Sequence, residues 1–249
     1  MSQFQTFDDR QIQSLRKGGK ILRECLEHIS QLVEPGISTK ALDQEAEKFI
    51  QKSGGIPGFK GYKGYPATLC TSVNEECVHG LPGDRILNEG DIISLDCGVL
   101  LDDLYTDACM TVPVGQVNPN ALNLMKHATD ALAAALRVIR AGIHIGDISA
   151  TVQKVVEEGG YTVLRALTGH GLGTNLHQYP DVPNFGVSGK GPTIPLHTIL
   201  AIEPIVSAGK SSGIKEGGDG WTLKTTDGAL SAHMEHTVLV EEGGCEILT

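Results

Sequence analysis

The chain has 249 residues, 40% of them hydrophobic and 20% charged, with a formal net charge of -10. That length suffices for one domain with a full core, and the composition excludes a mostly disordered chain. No run approaches the roughly 20 apolar residues of a membrane span, residues 1–10 lack the pattern of a secretion signal, and no Lys/Arg cluster offers a nucleic-acid footprint. A cytoplasmic protein with no membrane or direct nucleic-acid role is therefore expected. The six cysteines form no CxxC pair and are expected to be free thiols that pack internally.

Apolar residues recur at helical spacing over 8–33 (Ile12, Leu15, Ile21, Leu22, Cys25, Ile29), and Pro35-Gly36 stops the run. A second helix is predicted from Thr39 to Lys52, capped by Ser38 and closed by Gly54-Gly55. Residues 54–66, rich in Gly, Pro and aromatics, read as an ordered functional loop, and strands follow at 68–73 and 92–114. Asn118-Pro119 then opens a long helix through Arg140, closed at Gly142. From here the pattern starts again. Gly36-Ile37 matches Gly142-Ile143 at an offset of 106, and that offset also aligns Leu42 with Ile148, Ala46 with Val152, Ile50 with Val156 and Gly54 with Gly160. Two related helix-helix-strand halves, about 1–116 and 117–249, are expected within a single domain.

Residues 92–114 read as two strands around Leu101-Asp102-Asp103. A turn at Leu101-Asp102 puts Asp96 directly opposite Asp107, and one at Asp102-Asp103 makes them diagonal neighbours. On either reading they share a face, where two carboxylates repel unless a cation or proton lies between them. Thr168-Gly169-His170-Gly171-Leu172-Gly173 sets a histidine among glycines, read as a loop whose missing side chains leave room for a ligand or ion. A short strand from Ile199 to Ile202 delivers Glu203 and stops at Pro204. A strand at 231–240 delivers Glu235, with His233 and Thr237 on its face and Met234 and His236 on the other. One imidazole and four carboxylates form an oxygen-rich set suited to divalent Mn, Fe, Co or Zn.

In order and local sequence, Asp96, Asp107, His170, Glu203 and Glu235 resemble the five-ligand signature of the methionine aminopeptidase, prolidase and creatinase superfamily. The likeness runs nearly end to end. Gly61-Tyr62, Tyr65-Pro66, Ser72-Val73-Asn74-Glu75, His79-Gly80-Leu81-Pro82, Gly169-His170-Gly171-Leu172-Gly173, Glu203-Pro204 and Asp219-Gly220-Trp221 are similar to type I methionine aminopeptidases. The resemblance implies an α/β (α+β) pita-bread fold, with two pseudo-symmetric halves around a central antiparallel sheet. It implies two divalent ions (Co, Mn, Fe or Zn), bridged by Asp107 and Glu235, with Asp96 completing one and His170 with Glu203 the other. A water between the ions would be the nucleophile, Glu203 the proton shuttle, and His79 and His177 the substrate-binding catalytic histidines. A methionine pocket of Phe59, Tyr62, Tyr65, Cys70, Leu176 and Trp221 follows. Phe59, Lys63 and Leu176 stand where the commonest bacterial pattern has cysteine, histidine and phenylalanine, so the pocket's shape is left open. His28, His127 and His144 are expected to be solvated. The implied partners are peptide and nascent-chain N-termini and, as a further candidate, the ribosome; a monomer is expected. Two rivals stand beside this reading: a proline-directed aminopeptidase or prolidase-type dipeptidase, and a metal-free binding protein on the same fold. The first usually carries a large extra N-terminal domain, and the second requires lost ligands, whereas all five positions are filled here.

Overall fold

The computed structural model describes residues 3–249. In chain order it comprises helices α1 (Asp9–Ser30) and α2 (Thr39–Lys52), then strands β1 (Ile56–Pro57), β2 (Leu69–Val73), β3 (Glu76–Val78), β4 (Ile92–Leu101) and β5 (Leu104–Pro113). Helices α3 (Pro119–Val138) and α4 (Ile145–Glu158) follow, then β6 (Thr162–Val163), β7 (Thr168–Gly171), β8 (Gln178–Pro183), β9 (Ile199–Ile202) and β10 (Ile205–Ser207). The chain ends with β11 (Ile214–Glu216), β12 (Leu223–Thr225), β13 (Ser231–His233), β14 (Glu235–Val240) and β15 (Cys245–Ile247). None of the described helices is long and apolar enough to cross a membrane.

Local chemistry explains the helix ends. Asp8 and Gln11 form a reciprocal capping box at the start of α1, Ser38 accepts from the Ala41 amide, and Asn118 accepts from the Ala121 amide ahead of Pro119. Two helices are shorter than their periodicity predicts. After Ser30 the amides of Leu32 and Val33 bond three residues back, tightening the last turn of α1. Ile139 leaves α3 in extended conformation and is buried in the core. The glycines matched at the 106-residue offset behave alike: Gly36, Gly142, Gly54 and Gly160 all have positive φ. The amides of Gly36 and Gly142 each donate 2.9 Å to a later connecting segment, at Leu87 and Ile194, whose amides return bonds to Ile37 and Ile143.

The main sheet has nine antiparallel strands in the order β1-β4-β5-β14-β9-β7-β8, with β2 on β4 and β15 on β14. Alternation sorts its faces. Ile93, Leu95, Cys97, Val99 and Ala108 pack with α1 and α2, while Leu200, Ile202, Val238 and Val240 pack with α3 and α4. The intervening residues, including Asp96, Asp107, Glu235 and Ala201, therefore share the other face.

One departure from the expected strands matters for function. The stretch 231–240 is two strands, because the chain bends at Met234, whose amide bonds the Pro204 carbonyl at 3.3 Å. Its neighbour bends at the same level, at Glu203-Pro204. β9 and β14 thus pair in the main sheet, while β10 and β13 continue the pairing in a three-stranded sheet with β6. The histidines expected to be solvated are partly exposed and also packed. His28 stacks on Phe49, His127 accepts a place against Tyr161 with Nδ1 2.8 Å from the Asn123 carbonyl, and half-buried His144 is the N-cap of α4.

Two adjacent glycines inside α1 show how closely the helix lies on the sheet. A Cβ at Gly19 would sit 2.3 Å from the Leu248 carbonyl oxygen, whereas one at Gly18 would meet only Thr106 and Leu101 at 3.5 Å or more. Gly19→Ala is expected to destabilise the fold by about 1–3 kcal/mol through overpacking. Gly18→Ala should instead gain up to about 1 kcal/mol from helix propensity. Urea unfolding of both variants checks the contrast, which fails if they shift stability in the same direction.

Candidate metal centre

Five consecutive strands of the main sheet deliver the five predicted ligands in spatial order: Asp96 on β4, Asp107 on β5, Glu235 on β14, Glu203 at the end of β9 and His170 on β7. The β4–β5 turn uses Asp102-Asp103, both with positive φ (51° and 60°), as a two-residue hairpin demands. Asp96 consequently lies opposite Cys109 and Asp107 opposite Gly98, so the two aspartates are diagonal neighbours. Cys109 also faces Glu235, and Ala201 lies between Thr237 and His170. Small side chains thus lie between the predicted ligands.

Backbone anchors hold these strands in register. The Thr237 hydroxyl accepts from the Asp107 amide (2.9 Å) and donates to the Asp107 carbonyl (2.7 Å), and Asn184 donates to the Glu203 carbonyl (2.8 Å). Gly169-His170-Gly171 is strand β7, not a loop, which corrects the reading of its glycines. A Cβ at Gly169 would lie 2.4 Å from the Ala201 oxygen and one at Gly171 2.4 Å from the Tyr179 oxygen, so they admit neighbouring backbone, not a ligand. Beyond the strand, Gly173 admits the Phe7 ring in the same way. The His170 Nδ1 lies 3.0 Å from the Gly171 carbonyl, which can only accept, so Nδ1 carries the proton and Nε2 presents its lone pair. Nε2 is 3.5 Å from Glu203 Oε1 and 3.8 Å from Asp107 Oδ2.

Electrostatically the cluster is unbalanced. All four carboxylates are at most 9% exposed, and among the described residues their only ion-pair partners are histidines. Burial, with mutual repulsion, pushes Asp96 up to about 7 and Asp107 and Glu235 well above the carboxylate range; burial alone raises Glu203. Burial lowers His170 to about 4, which keeps its lone pair available. Asp96 Oδ1, Asp107 Oδ1 and Glu235 Oε1 have no hydrogen-bond partner. One ligand atom each from Asp107, His170 and Glu235 lie within 4.8 Å of one another. Buried, partnerless oxygens around a neutral imidazole fit divalent cations of the first transition row.

The cluster forms one wall of a cavity of about 310 Å³, and every predicted substrate residue lines it. Phe59, Tyr65, Cys70 and Leu176 pack together as a buried apolar group, with Tyr62 and Trp221 against them. Phe59 lies on Gly98, where a Cβ would come within 2.6 Å of the ring. The Tyr65 hydroxyl donates to the Leu69 carbonyl (2.8 Å) and its ring meets Trp221 edge-on at 5.1 Å. Asp219 bonds the Trp221 and Thr222 amides and fixes that loop. His177 sits at the mouth, its ring 4.3 Å from His170 and its Nδ1 3.2 Å from the Tyr62 hydroxyl. Desolvation, then His170, lower its pKa. His79 is held at φ 59°, an uncommon conformation for a side-chain-bearing residue, by Gly80, whose carbonyl accepts from the Thr71 amide at 2.7 Å. Sequence reasoning missed Asn184, for which no local signal exists. It placed His233 and Thr237 on the Glu235 face without giving them roles, although that alternation was the usable signal.

Residues 13–242 match the model of metallopeptidase family M24. The chain belongs to this family. A "Methionine aminopeptidase" of Clostridium perfringens is 44% identical over 242 residues, covering 97% of both chains, and "Methionine aminopeptidase 1" of Bacillus subtilis is 42% identical over 240 residues, 96% of each. The crystal structure of the Thermotoga maritima methionine aminopeptidase superposes with a TM-score of 0.97 at 38% identity, covering 99% of each chain. Prolidase from Pyrococcus furiosus, at 17% identity and a TM-score of 0.79, shares the fold. The architecture is thus the pita-bread fold, and the M24 chain described here is a metal-dependent hydrolase.

The raised carboxylates set a pH dependence. In chelated protein, stability from keeping them protonated is complete below about pH 4 and is lost as pH rises through the Asp96 value of about 7. Cation binding needs the deprotonated groups, so added divalent ion should stabilise more as pH rises. Thermal melts with ion and with chelator are expected to differ more at pH 8 than at pH 5.5; a gap that narrows would contradict the assignment.

Proposed function

We propose that the chain is a methionyl aminopeptidase, hydrolysing the first peptide bond of peptides and nascent chains that begin with methionine. The observation that carries this reading is a buried acidic cluster that lines the same cavity as a group of apolar and aromatic side chains. The full-length likeness to proteins named methionine aminopeptidase supports it. Phe59, Leu176, Cys70, Tyr65 and Trp221 would surround the flexible, polarizable methionine side chain and exclude water from it. Two divalent ions (Co, Mn, Fe or Zn) would be held by Asp96, Asp107, His170, Glu203 and Glu235. Such a pair, when bound, makes water acidic enough to attack at neutral pH and polarises the scissile carbonyl.

The chain's own groups supply the rest. Glu203, whose pKa burial raises, would take a proton from the attacking water on its carboxylate and pass it to the leaving amine. His177, with Nδ1 engaged by Tyr62, would offer Nε2 to the substrate backbone, and His79 would steady the tetrahedral oxygen. We place this activity in the cytoplasm, in a monomer that meets nascent N-termini at the ribosome.

Mass spectrometry of Met-Ala-Ser, Leu-Ala-Ser and Ala-Pro-Ser, each incubated with ion-reconstituted protein, tests the specificity. Release of methionine alone is expected. Release of alanine before proline would replace the reading with a proline-directed peptidase, and no product from any peptide would overturn it. His79→Ala is expected to lower kcat by about 10²-fold or more while bound metal, measured by elemental analysis, stays near that of the parent. Full turnover or an emptied centre would remove His79 from its proposed role.

A further inference from the structure

One side chain in the cavity wall has a ring with no hydrogen bond at all. His233 is 2% exposed, and neither Nδ1 nor Nε2 finds a partner, which is costly for a buried imidazole. Its backbone is firmly held: the amide donates to Thr111 Oγ1 (2.9 Å), the carbonyl accepts from the same hydroxyl (2.7 Å), and the residue pairs with Ile205 across β10 and β13. Nε2 faces two of the ligand carboxylates, 3.4 Å from Glu203 Oε2 and 3.7 Å from Glu235 Oε2.

At those separations Nε2 makes no N–H···O bond with either carboxylate. They resemble the spacing of two donors on one ion, since atoms each about 2.1 Å from a metal lie roughly 3–3.5 Å apart. His170, a predicted ligand, stands at comparable distances from Glu203 Oε1 and Asp107 Oδ2. The two oxygens of Glu203 thus face two different imidazoles. The bend at Met234 creates this arrangement, because it carries His233 into the smaller sheet while Glu235 stays in the main one.

We infer that His233 is a sixth protein donor to the metal centre, its Nε2 binding on the side of Glu203 and Glu235. The inference rests on the metal-centre reading above. A second imidazole makes the site richer in nitrogen and so favours zinc or cobalt over manganese.

The test uses the full chain stripped with chelator and titrated with zinc, while the histidine ring nitrogens are followed by ¹H–¹⁵N NMR and assigned through bonds from the backbone. The His233 Nε2 resonance is expected to move together with that of His170. By calorimetry, His233→Gln should bind zinc at least about tenfold more weakly than the parent and lose less affinity for manganese. Thermal melts of the two metal-free proteins verify that the variant is folded. A His233 Nε2 signal that zinc leaves in place, or parental zinc affinity in a folded His233→Gln, overturns the inference while leaving the five-ligand centre standing. A parent chain that takes up no zinc, with neither ring responding, overturns the centre and the inference together.

Discussion

Four carboxylates are gathered in a nearly dry place, and among the described residues no lysine or arginine forms an ion pair with them. Left as anions they would repel one another strongly, since burial removes the water that otherwise screens such charges. Protons or cations must enter with them, and the structure is organised so that cations can. Two apolar cores against the helices stabilise the chain, and five neighbouring strands can therefore carry acidic groups that stabilise nothing by themselves. The cost of the site is thus borne by packing behind it.

Rigidity follows from the same need. Side-chain atoms carried on strands several places apart meet only if the strands keep register and approach closely. Thr237 and Thr111 stitch β5 to β14 and β13 through paired backbone contacts, and Asn184 grips the Glu203 carbonyl. Gly169 and Gly171 let β7 lie against its neighbours where any side chain would collide with a carbonyl. The two neighbouring strands are interrupted together at Glu203-Pro204 and Met234, and the carboxylates beside these breaks, Glu203 and Glu235, line the cavity.

The cavity's other walls come from loops whose conformations are locally expensive. His79 and Lys63 both have positive φ, and each lies beside the site. Phe59 sits where it does because Gly98 has no side chain, so the pocket's floor and the ligand-bearing hairpin are shaped jointly: Gly98 is the cross-strand partner of Asp107. Substitutions among the apolar residues therefore alter the hairpin as well as the volume open to a substrate.

Much of this was legible in the chain of letters. Caps at Asp8, Ser38 and Asn118 set helix starts, because a capping side chain acts on amides two or three residues away. Alternation placed Asp96 and Asp107 on one face, and Glu235 on one face with His233 and Thr237, since a strand's side chains alternate whatever lies next to it. The order of acidic and histidine motifs singled out five residues that the fold brings to one cavity. Other matters were decided only by tertiary structure. Two hairpin turns were equally compatible with Leu101-Asp102-Asp103, and the diagonal register appeared with the pairing of β4 and β5. The glycines around His170 looked like room for an ion, yet it is neighbouring strands that occupy the space. The bend at Met234 leaves no local trace, because it depends on the Pro204 carbonyl, distant in sequence. Short-range hydrogen bonds and periodicity are written within a few residues of where they act. Register, bends and the company a buried histidine keeps depend on which strands become neighbours, and that is settled by burying all the apolar faces at once.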